Sequence, residues 1–157
     1  MTRPFDVTRH RHPDPPFAID LPAGVELAEG PGVLLIAQDP GPGAAFRANL
    51  TVAAPEAVGE LSAYVSAALE QAAATFAGWW LVDRTETRIG DLTAERTVGT
   101  YLLVAGEEAI NVALEQWWLL AVGRAWCVSG SCEAADFPRG HEAWERCAES
   151  LRIGSDA

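Results

Sequence analysis

The chain has 157 residues and a formal net charge of −11, with an isoelectric point near 4.6. About 49% of the residues are hydrophobic, which is enough to build the core of one domain. A surface this acidic repels phosphate backbones and anionic membranes, so we expect neither nucleic-acid nor membrane binding. All eleven basic residues are arginine, which excludes lysine-dependent chemistry and is typical of a GC-rich bacterial genome.

The beginning of the sequence is charged and rich in proline, without the apolar segment typical of a secretion signal. The longest strongly apolar stretches are too short to span a bilayer. Three cysteines, an odd number, fit a reducing compartment better than a disulfide framework. We therefore expect a cytoplasmic protein.

The N-terminal third predicts a flexible arm followed by short strands. Residues 1–16 contain four prolines and much local charge, which favours a mobile segment. Alternating apolar residues predict strands over 17–21, about 33–37 and 46–52, with turns at the Pro- and Gly-rich segments between them. The domain is expected to cover 17–153, and 154–157 to form a disordered tail.

Helical periodicity begins at about Val58 and continues to Phe76, with Gly78 placed to end the helix in a left-handed conformation. A second helix is expected to begin near Asp136, with Pro138 in its first turn. Between the two helices, alternation and Gly-containing turns predict four strands, over 79–88, 92–104, 109–122 and 125–132.

The last two of these strands predict a tryptophan-rich hairpin in the centre of a sheet. A type II′ turn at Gly123-Arg124 would place Trp118 opposite Ser129 and Trp117 opposite Gly130. Both faces of the hairpin are largely apolar, so one helix is expected to cover each face. The sequence thus predicts an α+β fold, a three-layer α/β/α sandwich around a central antiparallel sheet.

The order of these elements resembles the PsbP-like superfamily. The resemblance rests on the start PFAIDLPAGV, the early helix, a strand with two tryptophans, a Gly-Arg turn and a closing helix with Phe137 and Trp144 that ends in S-L-x-I. It covers about residues 15–153. Val25 stands where the family often has an aromatic residue. The photosystem extrinsic protein, a Ran-binding import factor and LpqN-type lipoproteins share this fold, and the resemblance implies a non-enzymatic, protein-binding domain.

Few residues have spacing that fits catalysis or metal binding. His10, His12 and Asp14 alternate and would project to one side of an extended arm, but an obvious fourth ligand is missing. His141 and Cys147 are six residues apart on one helix and point in different directions. We therefore expect no enzyme, no metal and no cofactor.

The first functional hypothesis is a protein-interaction module. Trp79 and Trp80 follow the helix cap, and Trp117 shares its face with Glu115 near a sheet edge, so all three are candidates for exposed anchors. The partner is expected to be another protein, and a homodimer is possible.

The alternative hypothesis is a domain that binds a small apolar ligand between sheet and helix. Its pocket would be lined by Trp80, Trp126, Trp144 and a polar group such as His141. The alanine-rich helix over 59–76 leaves space that a cavity could use. Excess volume beside these alanines would favour this hypothesis over the interaction module.

Overall fold

The computed structural model describes residues 6–40 and 46–157. Ten strands, two α-helices and a 3₁₀ turn at Ala134–Asp136 make up this part of the chain. The strands are β1 (Val7–Pro13), β2 (Pro16–Pro22), β3 (Glu26–Gly30), β4 (Val33–Gln38), β5 (Asn49–Ala53), β6 (Trp80–Ile89), β7 (Leu92–Ala105), β8 (Glu108–Ala121), β9 (Arg124–Glu133) and β10 (Arg152–Ile153). The helices are α1 (Leu61–Thr75) and α2 (Phe137–Glu149).

A seven-stranded antiparallel sheet, in the order β3-β4-β5-β9-β8-β7-β6, forms the middle layer. Helix α1 packs on one face through Val65, which contacts Trp118 and Cys127. Helix α2 packs on the other face, where Trp144 joins the larger core cluster with Trp117. We call these two surfaces the α1 face and the α2 face. The predicted three-layer α+β sandwich is confirmed.

The prediction of a flexible arm over 1–16 is wrong for the residues that the structure describes. Strand β1 pairs with β2 along its whole length, from Val7 opposite Pro22 to Pro13 opposite Pro16. The prolines at 13 and 16 occupy the ends of the two strands, where they remove no interior hydrogen bond from the ladder. Residues 1–5 lie outside the described part of the chain.

The expected disordered tail over 154–157 is also wrong. The amide of Gly154 donates to the carbonyl of Pro16 (2.9 Å), and that of Ala157 donates to the carbonyl of Gly154 (3.2 Å). These bonds hold the end of the chain in a turn against β2. Strand β10 pairs with β2 as well, so β1, β2 and β10 form a second, three-stranded sheet that the sequence did not predict.

Most of the other predicted elements are confirmed, with small shifts at their ends. Strand β5 begins at Asn49 rather than at residue 46, and its Leu50 and Val52 are buried as predicted. Gly78 has a φ of 62°, the left-handed conformation expected after α1. Helix α2 begins where predicted, although the side chain of Asp136 makes no capping hydrogen bond. Strand β3 was not predicted.

The predicted pairing of the tryptophan hairpin is displaced by two residues. Ala121 pairs with Arg124, so the turn residues are Val122 and Gly123, with φ values of 53° and 69°. Two positive φ angles are typical of a type I′ turn rather than type II′. Trp118 therefore lies opposite Cys127. Because side chains alternate with a period of two, this displacement leaves every residue on its predicted face.

Candidate functional site

The four predicted binding residues lie apart in the structure, and Trp79 lies where α1 meets the sheet. Its indole lies over Gly99, where an added Cβ would come within 2.7 Å of Cζ2. Phe76 lies beside it at a ring-centroid distance of 6.0 Å, and Phe76 in turn stacks on Tyr101 at 4.4 Å. Trp79 is thus half-buried and joins the end of α1 to the sheet.

Trp80 belongs to an exposed apolar surface at one end of the sheet. It lies opposite Thr100 on β7, and Leu102 and Val104 follow on the same face because alternate residues of a strand share a face. Their exposed fractions are 70% for Trp80, 45% for Leu102 and 69% for Val104. We call these three side chains the apolar patch. It lies on the α2 face, next to the edge strand β6.

Trp117 does not lie on an exposed surface, and the prediction that it does is wrong. It is only 3% exposed and belongs to the core under α2. Its neighbour on that face, Glu115, which suggested a wet edge, is itself fully buried. The burial follows from the position of β8, which has a strand on each side and a helix above this face.

His141 belongs to an ionic network around the buried carboxylate of Glu115. Its Nδ1 donates to Oε1 of Glu115 (2.9 Å). Arg96 Nε donates to the same oxygen (2.5 Å), and its Nη1 donates to Asp83 (3.1 Å). The carboxylate of Glu115 is therefore compensated by an arginine and an imidazole, as a buried charge requires.

The pocket expected from Trp80, Trp126, Trp144 and His141 does not form in the described part of the chain. Trp126 and Trp144 are 1% and 5% exposed and pack in the core. Trp126 contacts Phe17 edge-on at 5.5 Å, and the ring of Trp144 lies directly on Gly130. Trp80 is exposed at the β6 edge. The space that these side chains were expected to line is filled by their own packing.

A different cleft lies on the α1 face, beside the alanines of α1. Its volume is about 530 Å³, within the usual range for small-molecule sites. The helix contributes one wall, formed by Ala68, Gln71, Ala72, Thr75 and Phe76. The sheet contributes the floor, formed by Tyr101 on β7, by Leu114, Gln116 and Trp118 on β8, by Ser129 and Ser131 on β9, and by Asn49 and Thr51 on β5.

The floor of the cleft changes from apolar to polar across the strands. Along one row, Leu114 on β8 pairs with Ser131 on β9, which pairs with Asn49 on β5. In the next row, Gln116 pairs with Ser129, and its Nε2 donates to the Ser129 hydroxyl (3.1 Å). These small polar residues look like sheet packing in the sequence. The sequence signal for a shared polar surface was that polar residues alternate along both β9 and β5, at Ser129 and Ser131 and at Asn49 and Thr51.

The three thiols are not activated. Burial raises the pKa of Cys127 and of Cys147 to about 12. Burial, followed by nearby carboxylates such as Asp136, raises the pKa of Cys132 to about 11. Since the thiolate is the reactive form, none of these groups is a nucleophile near neutral pH.

The two histidines of β1 share one side of the strand, as their alternation predicts. His12 stacks on Phe17 at 5.0 Å and its Nδ1 donates to the carbonyl of Pro15 (3.1 Å). Burial, and then the neighbouring His12, lowers the pKa of His10. Within residues 6–40 and 46–157, no three His, Cys, Asp or Glu side chains are grouped closely enough to hold a metal ion.

In sequence comparisons, no protein-family model and no curated protein matches this chain. Solved structures of other proteins match over nearly its whole length. CyanoP, the cyanobacterial PsbP of Synechocystis sp. PCC 6803, is 12% identical, with a TM-score of 0.67 and coverage of 98% of this chain and 95% of its own. LpqN of Mycobacterium tuberculosis, described as involved in cell envelope biogenesis, is 14% identical, with a TM-score of 0.66 and coverage of 94% and 90%.

The third match is PA94 of Pseudomonas aeruginosa, a protein of unknown function. It is 18% identical, with a TM-score of 0.65, and the alignment covers 94% of this chain and 97% of that one. The chain therefore has the PsbP-like fold, and the resemblance seen in the sequence is confirmed. At these identities the likeness extends to the fold alone. Neither helix of the described residues has the length and apolar character needed to cross a membrane.

Proposed function

We propose that this domain is a non-enzymatic protein-interaction module that acts in a bacterial cytoplasm and binds another protein through the apolar patch. The observation that carries the proposal is the placement of Trp80, Leu102 and Val104 together on one face, each at least 45% exposed. Grouped exposed apolar side chains are typical of interaction surfaces, whereas single ones are common everywhere. A large exposed tryptophan is the residue type most often found as a binding hot spot.

The shape of β6 favours binding through side chains over addition of a strand. Strand β6 is the last in the sheet order, but its ladder with β7 is shifted between Leu81 and Asp83, which leaves Val82 as an extra residue. Such a bulge twists an edge strand and makes it a poor template for continued pairing. The partner is therefore expected to contact the indole of Trp80 and its neighbours on the face of the sheet.

The inert thiols support a role without catalysis. A nucleophilic cysteine needs a lowered pKa and access to solvent, and the three cysteines here are buried with raised pKa values. His141, the other candidate in the sequence, is bound to Glu115 within the ionic network.

A photo-crosslinking experiment with matched positions tests the proposal. Val104 is replaced by benzoylphenylalanine to probe the patch, and Val58, which is 96% exposed, is replaced in the same way as the control. Residue 58 lies near the β8–β9 turn, because the amide of Ala57 bonds to the carbonyl of Gly123. Val104 lies on β7 opposite Ala109, at the other end of β8, which is roughly 40 Å away for a strand of this length.

We expect one or a few host proteins, or a second copy of the chain, to crosslink from position 104 and not from position 58. Adding Trp80→Ala should lower that yield at least fivefold. A second copy as the product would identify the homodimer as the complex. Identical crosslinks from both positions, or a yield that Trp80→Ala leaves unchanged, would contradict the proposal.

The second candidate function is binding of a small ligand in the cleft on the α1 face, which we call the α1 cleft. The specific observation in its favour is the volume of about 530 Å³ beside Ala68 and Ala72. Excess space next to these alanines is the feature that distinguishes a ligand-binding domain from a fully packed layer.

A further inference from the structure

We propose that the α1 cleft takes an uncharged amphipathic molecule, with a hydrocarbon part and a head group of hydroxyls or an amide. This inference rests on the second candidate function and names its ligand class. It follows from the arrangement of apolar and polar side chains in the cleft and from the absence of charge among its described lining residues.

The hydrocarbon part fits the side of the cleft nearest β8. Leu114 and Trp118 form the floor there, and Ala72 and Phe76 of α1 stand above them. The Trp118 indole Nε1 already donates to Thr97 Oγ1 (3.0 Å), so the surface that its ring offers to a ligand is apolar. Alanine in place of a larger residue at 72 leaves the width that an alkyl chain needs.

The head group fits the side nearest β9 and β5. Within the described part of the protein, no hydrogen bond engages the side-chain hydroxyls of Thr51 or Ser131, and both face the cleft. Gln116 donates through Nε2 to Ser129, which leaves its Oε1 free to accept. A hydroxyl both donates and accepts, so this surface matches ligand hydroxyls or an amide.

A charged head group would have no counter-ion in the cleft. None of the described lining residues carries a charge. The nearby pair on the α1 face, Arg84 and Glu95 (2.7 Å), is closed on itself, and Arg84 also donates to Ser66 Oγ and to the carbonyl of Ser62. Removing a charge from water without a partner is costly, and the net charge of −11 further repels anions.

The size of the ligand follows from strand spacing. From Leu114 on β8 to Thr51 on β5 the cleft crosses two strand intervals, which is about 10 Å. A molecule with a chain of about eight carbons, counting the two that carry the hydroxyls, spans this distance. We therefore use 1,2-octanediol as the neutral probe, with octanoate and octylammonium as probes of the same chain length that carry one negative or one positive charge.

Titration of the full chain with each probe, followed by ¹H–¹⁵N NMR, tests the inference. We expect 1,2-octanediol to shift the side-chain amides of Gln116 and Asn49 and the indole of Trp118, and both charged probes to bind at least tenfold more weakly. A matched pair of variants locates the site. Ala72→Leu fills the cleft, whereas Ala74→Leu adds the same side chain at an exposed position outside the lining.

The diol should bind Ala72→Leu at least fivefold more weakly than wild type, and Ala74→Leu within twofold of it. Leucine and alanine are both strong helix formers, so both variants should keep α1, which circular dichroism checks. Octanoate or octylammonium binding as tightly as the diol would overturn the ligand class and leave the cleft as a ligand site. No shift with any probe would overturn the second candidate function as well.

Discussion

The contact between Gly130 and Trp144 offers a direct test of how the α2 layer is held. Gly130 lies on the central strand β9, and a Cβ added there would stand 2.6 Å from Cγ of Trp144 and closer still to two other ring atoms. Trp144 is 5% exposed, so its ring has no solvent to move into. Gly130→Ala should therefore displace α2 from the sheet.

Overpacking of a closed core costs about 1–3 kcal/mol. At a central value of about 2 kcal/mol, and at about 2–4 °C per kcal/mol for a chain of this size, the melting temperature should fall by about 4–8 °C. Differential scanning calorimetry measures the change. The matched control is Gly99→Ala, which is also a strand glycine beneath an indole, with Cζ2 of Trp79 at 2.7 Å from the added Cβ.

Trp79 is half-buried near a sheet edge and can swing outwards, so Gly99→Ala should cost less than Gly130→Ala. Both substitutions remove the same backbone freedom from the unfolded chain, and this contribution cancels in the comparison. Combining Gly130→Ala with Trp144→Phe should recover part of the loss, because the smaller ring needs less space. Equal losses for the two glycine variants, or no change for Gly130→Ala, would refute the argument.

Two further predictions concern buried ionisable groups. Glu115→Gln should lower the unfolding free energy in urea by about 1.5–3 kcal/mol, because the neutral amide loses the charge-assisted bonds to Arg96 and His141 while Arg96 keeps its bond to Asp83. Glu142→Gln, at an exposed helix pair, should stay within about 0.5 kcal/mol. Burial raises the pKa values of Cys127 and Cys147 from 9.0 to about 12. The contribution of these two buried thiols to the unfolding free energy is therefore complete below pH 9 and declines as the pH rises from 9 to 12. The unfolding free energy should fall by up to about 1.4 kcal/mol per pH unit for each thiol. The native protein should also resist alkylation of its cysteines at pH 8. Rapid labelling of the cysteines without unfolding would contradict this prediction.

The hairpin shows what an alternating pattern can and cannot predict. Alternation predicted that Trp118 and Trp126 lie on opposite faces of the sheet, because the face depends only on parity along the strand, and the structure places them on the α1 face and the α2 face. The register of the hairpin depended on the turn. The general preference for Gly at the first position of a type II′ turn predicted Gly123-Arg124, whereas Val122 and Gly123 form the turn. The fold tolerates the left-handed Val122 at the tip because its side chain is 81% exposed and meets no packing.

The same limit explains the misplaced binding residue, Trp117. Trp117 was expected near an edge because Glu115 shares its face, but the carboxylate of Glu115 is buried and compensated by Arg96 and His141. The arginine is 19 residues away in the chain and the histidine 26. The partners of a buried charge are side chains that the fold places next to it. Because these partners are far away along the sequence, no local pattern identifies them.

The way in which helix α1 is attached to the sheet explains why a cleft forms beside it. Val65 is its one buried residue among those described, and Arg84 ties its first turns to the sheet through Ser62 and Ser66. At its other end the stack of Phe76 on Tyr101 fixes its position. The helix is therefore attached at two points, and the alanines between them cannot fill the space above the polar floor. A helix with a full apolar stripe would have closed it. The alanine-rich composition is thus the sequence feature that allows a cleft in a layer that would otherwise be core.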